Sequence, residues 1–112
     1  MATAAIDPAT FAELQASAGA DFVRELIDTF LEEAPRMLAE LSEALPAARV
    51  DAFRRAAHSL KSNANTFGAL ALATMARDLE LQGLAAATPA ALAALAQQYG
   101  AAAAELKALR DA

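Results

Sequence analysis

The sequence predicts an all-α protein, an antiparallel four-helix bundle with a short additional N-terminal helix. Three observations carry that expectation. Alanine, the strongest intrinsic helix former, supplies most of a 57% hydrophobic fraction in which aromatics are only 5%. Apolar side chains recur every three to four residues along several stretches, the period of one helix face. Short punctuating motifs (Asp-Pro, Pro, Phe-Gly, Thr-Pro) separate those stretches and suit tight connections between neighbouring helices. The 112 residues fit a single domain spanning 1–112, long enough to bury one continuous core and too short for two.

Taken in order, Asp7-Pro8 is an N-cap followed by a first-position proline, so a short helix runs to Ala18 and stops near Gly19. A second helix starts at Ala20 or Asp21 and reaches about Leu45. Its stripe is Val23, Ile27, Phe30, Ala34, Met37, Leu38, Leu41 and Leu45. Pro35 lies inside that stripe, which continues in phase, so a kink is expected and not a break. Pro46 closes the helix. A third helix spans about Val50 to Thr66 and ends at Phe67-Gly68, with Gly68 suited to a left-handed terminating position. The fourth is expected from Leu70 to Ala86, with Leu72, Met75, Ala76 and Leu79 inward. Thr88-Pro89 caps a fifth, whose stripe is Leu92, Leu95, Tyr99, Ala103 and Leu106.

Composition also excludes several functions. There is no cysteine, which removes disulfides, thiolate chemistry and zinc–cysteine sites. A metal bundle needs paired Glu-x-x-His motifs, and none is present, so no metal site is expected. No apolar stretch is long enough to cross a bilayer, and the N-terminus lacks a basic region followed by an apolar one. The expectation is a soluble, cytoplasmic monomer. A net charge of −5 argues against a nucleic-acid binder. That charge is unevenly spread. Between Pro46 and Arg77 five cations (Arg49, Arg54, Arg55, Lys61, Arg77) face Asp51 alone, a net +4, while the rest of the chain carries −9.

The single histidine lies inside this basic island. On a wheel of about 100° per residue, Phe53, Ala56, Leu60, Ala64 and Phe67 form the buried stripe of the third helix, opposite His58. Arg54, Arg55, Lys61, Ser62 and Asn65 fall within about 60° of His58. An isolated surface histidine ordinarily does nothing. Here, however, the neighbouring cations disfavour its protonation and keep the imidazole nucleophilic. The same cations suit an added phosphoryl group. Ser62, one turn on, is small and leaves the ring unobstructed.

His58-Ser59-Leu60-Lys61-Ser62, then Ala64-Asn65, Gly68-Ala69 and Leu79-Glu80, resembles the signature of histidine-containing phosphotransfer (HPt) domains. The resemblance extends back through Arg55-Ala56-Ala57 to Phe30-Leu31-Glu32-Glu33-Ala34-Pro35, covering essentially the whole chain. It implies that His58 is the phosphorylated residue and Lys61 the phosphate-neutralising one. Ser62 stands where many members have glycine, a mild departure because a small residue is what the position asks for. The implied function is a two-component phosphorelay. His58 takes a phosphoryl group from a histidine kinase, a hybrid kinase or a response-regulator receiver domain, and returns it to a receiver aspartate.

No carboxylate is expected to accompany His58 on its face, so no cofactor is expected on this chain and the receiver should bring the Mg²⁺. Docking is expected over the third helix and the exposed flank of the second, where Phe22 and Leu31 lie off the stripe; edge-of-core packing explains those two equally well. A kinase dimerisation helix carries an acid directly after its histidine, where this chain has Ser59, and no Gly-rich nucleotide loop exists. The protein is therefore read as a carrier and not an enzyme. The alternative, a helical adaptor that is never phosphorylated, leaves the cationic cluster without a purpose.

Overall fold

The computed structural model describes residues 5–112. Five helices follow in order: α1 (Pro8–Ala18), α2 (Ala20–Ala44), α3 (Val50–Phe67), α4 (Leu70–Gln82) and α5 (Pro89–Asp111). The expected caps are in place. Asp7 accepts from the Thr10 amide ahead of Pro8, and Thr88 accepts from the Ala91 amide ahead of Pro89. Helix α2 runs through Pro35 without a break, consistent with a stripe that keeps its phase across the proline.

One boundary differs from expectation. Helix α4 ends at Gln82, not Ala86, because Gly83 takes a φ of +71° that leaves the helical region. Residues Gly83–Ala86 form a tight 3₁₀ turn instead. The apolar stripe continues across Gly83 and carries no mark of this break.

The apolar stripes meet in one core. Val23, Ile27 and Phe30 from α2, Phe53, Leu60 and Phe67 from α3, Leu72 from α4, and Leu95 and Leu106 from α5 are all buried. Aromatic contacts join three helices: the Phe30 ring lies 5.3 Å from Phe67 and 5.8 Å from Tyr99. Met37, Leu38, Leu45, Met75, Leu92 and Tyr99 are only partly buried and seal its edges. No buried polar or charged side chain interrupts the core among the described residues.

Helix α1 packs on α2 and α3 and covers the turn between α3 and α4. The Asp7 amide donates to the Gly68 carbonyl at 2.8 Å, and the Ile6 amide donates to a Glu105 carboxylate oxygen at 2.9 Å. Gly68 has a φ of +83°, the left-handed position expected of it. It also meets a packing demand that its helix alone does not reveal. A β-carbon there would sit 2.8 Å from Cβ of Thr10, so α1 can close over the turn only because residue 68 is glycine.

Candidate functional site

Six residues from α3 build the site. The buried face of α3 (Phe53, Ala56, Leu60, Ala64, Phe67) fixes the rotation of the helix, and that rotation turns the opposite face to solvent. His58, Arg54, Arg55, Ser62 and Asn65 are exposed there as expected, while Lys61 lies at the margin, facing α4. The His58 side chain is 58% exposed. Neither Arg54 nor Arg55 takes part in an ion pair among the described residues. Gly68 ends the helix beneath α1 and makes no contact with the ring.

The tertiary structure adds one residue that helix phase alone does not reveal. Glu80, on α4, reaches across to α3: Oε2 lies 2.8 Å from Nδ1 of His58, and Oε1 accepts from Nζ of Lys61 at 2.7 Å. A carboxylate therefore does accompany the histidine. The expectation that none does fails on two counts: Asp51 shares the α3 face, two turns before the histidine, and Glu80 arrives from a neighbouring helix at hydrogen-bond distance. The Leu79-Glu80 pair stood out in the sequence at a matching distance, but nothing local says which neighbour its side chain meets.

The charges at this contact fix the chemistry of the ring. The hydrogen bond from Lys61 holds the Glu80 carboxyl below its ordinary value, partial burial opposes that, and the His58 contact adds to the lowering. An ionised carboxylate only accepts, so Nδ1 of a neutral imidazole must carry the hydrogen. The lone pair is then left on Nε2, the other ring nitrogen. Lys61 is not a free cation; it is anchored by Glu80, with two donor hydrogens left for a further acceptor.

Of the two α2 residues expected to take part in docking, Leu31 packs against the core edge, whereas Phe22, on the other side of the helix, is 51% exposed. Among the described residues no group of three or more His, Cys, Asp or Glu side chains converges on a point that would suit a metal. No helix among them is long and apolar enough to cross a membrane.

The helical bundle holds one histidine outward, with a carboxylate behind the ring and cations around it, a setting that suits an anionic group. The family model of the Hpt domain matches residues 25–112, from the first third of α2 to the end of the chain. This chain belongs to the Hpt domain family, whose members carry out histidine phosphotransfer in two-component systems. The match leaves out α1 and is therefore shorter than the expected resemblance, which covers essentially the whole chain. No curated protein and no solved structure shows a significant match.

Proposed function

We propose that this protein relays a phosphoryl group through Nε2 of His58, between response-regulator receiver domains or from a histidine or hybrid kinase to a receiver. The observation that carries the reading is the bond from Nδ1 to Glu80 on an exposed ring set among cations. The Nε2 lone pair attacks phosphorus as the bond from phosphorus to the aspartyl oxygen breaks, and the carboxylate leaves with the electron pair. The imidazole gains positive charge as it does so. Glu80, already on Nδ1–H, stabilises that charge where it develops. Lys61 neutralises the phosphoryl oxygens with the hydrogens that Glu80 does not hold. Return of the group to a second receiver reverses these steps.

The chain supplies position and charge, not nucleotide binding. Magnesium belongs, in this reading, to the receiver's own carboxylates, since Glu80 is occupied by two donors. The protein acts as a monomer without a cofactor of its own.

Radiolabelled phosphoryl transfer from receiver domains tests the proposal. His58→Gln should accept nothing while its helical spectrum and thermal midpoint stay near those of the unaltered protein. The unaltered protein given ATP and magnesium alone should remain unlabelled. Label retained by His58→Gln, or stoichiometric self-labelling from ATP, would overturn the reading.

A further inference from the structure

The two flanks of His58 differ in a way that assigns them different tasks. On the α4 flank the charges satisfy one another, because Lys61 is paired with Glu80. On the α2 flank they do not. A cleft of about 540 Å³ runs between α2 and α3, with Glu40 and Glu43 on the α2 wall, Arg55 on the α3 wall and Arg49 at the residue that caps α3. Ala56 and Ser59 also line it, and Ser59 adjoins His58 in the chain. All four charged side chains are exposed, and none of them forms an ion pair within 4.0 Å among the described residues. Opposite charges thus face each other across open space without closing it.

From this geometry we infer that the cleft selects the receiver partner by charge pattern. It does so by seating a segment that brings basic side chains to Glu40 and Glu43 and acidic side chains to Arg49 and Arg55. The inference rests on the phosphotransfer reading, which puts a receiver over His58, and the cleft is continuous with that position through Arg55 and Ser59. A partner of a single charge sign gains on one wall and is repelled by the other. A partner with both signs in the correct order gains on both and is held in register. Unpaired charges serve this purpose better than a closed salt bridge, since no internal pair has to be broken before docking.

The experiment separates this inference from the reading beneath it. Glu40→Lys with Glu43→Lys reverses one wall; Glu13→Lys with Glu25→Lys, on exposed positions outside the cleft, makes the same change in net charge. Each double variant is first treated with phosphoramidate, a small donor that needs no docking, and then with every phosphorylated receiver domain that labels the unaltered protein. The cleft variant should take label from phosphoramidate at the normal rate. Its kcat/KM with receivers should fall at least tenfold, mainly through KM, while the control variant stays within about threefold of the unaltered protein. Equal receiver kinetics in both double variants would overturn the role of the cleft and leave the phosphocarrier reading standing. Failure of the unaltered protein to be labelled at His58 by any donor would overturn the reading itself.

Discussion

His58 and its contacts show how little of a reactive residue is its own. The imidazole is made directional by Glu80, and Glu80 is kept ionised chiefly by Lys61. In the proposed relay Lys61 therefore has two duties, holding the carboxylate and meeting the phosphoryl group. Lys61→Ala should slow phosphoryl acceptance by roughly ten- to a hundredfold, since a charge-assisted contact is worth about 1.5–3 kcal/mol. Rapid-quench transfer kinetics measure this, and unchanged rates would shift the neutralising role to Arg54 or Arg55. Ser62 acts by size. It is exposed one turn beyond His58, and a side chain on a helix leans towards the N-terminus, over the histidine ring. Ser62→Leu should cut receiver-mediated transfer sharply while keeping helicity, because leucine propagates helix well and no buried contact is lost. Full transfer by that variant, measured by stopped flow at equal folded fraction, would make position 62 an ordinary solvated one.

Among the helices, two glycines with opposite demands separate conformation from composition. Gly68 holds a left-handed φ of +83° at the end of α3, directly beneath Thr10 of α1. Gly100 lies inside α5, and a β-carbon there would meet nothing within 4 Å. Gly68→Ala should cost about 1–2 kcal/mol from backbone strain alone, before the contact with Thr10 is counted. Gly100→Ala should stabilise by about 0.4–1 kcal/mol through a less flexible unfolded chain and better helix propensity. Urea unfolding of the two variants checks the pair of signs, and a shared sign would contradict the structural distinction. Gly83 belongs with Gly68: its positive φ ends α4 four residues earlier than the apolar stripe suggests.

Across the whole molecule, the α3–α4 junction couples the site to stability. Glu80 joins both helices, and its carboxyl is held below the ordinary value of 4.5. For a depressed acid, the stabilisation is fully present above the unfolded value and is lost as pH falls through the lower folded value. The unaltered protein should therefore lose its thermal-midpoint advantage over Glu80→Gln as pH drops from 7 to below 4.5 towards strong acid. An advantage that stays constant with pH would mean that the Glu80 contacts seen here do not bear on folding. Asp7, also lowered, by its bonds from Thr10, is common to both proteins and cancels in the comparison.

Helices, their caps and the outward direction of His58 were legible in the sequence because each depends on spacing within one segment. A stripe that buries Phe53, Leu60 and Phe67 forces His58 to the far side, whatever the rest of the chain does. The basic island was legible for the same reason, as were the Asp7 and Thr88 caps. The family likeness rested on these local spacings and pointed to His58 as the residue proposed to carry the phosphoryl group. Three features depended on the tertiary structure: Glu80 against the ring, the approach of Thr10 that forbids a β-carbon at Gly68, and the cleft where Glu40 and Glu43 face Arg49 and Arg55. The phase of a helix says which residues turn inward. It does not say which neighbour an edge residue meets, because that depends on the spacing and register of two helices brought together by burial of the shared core.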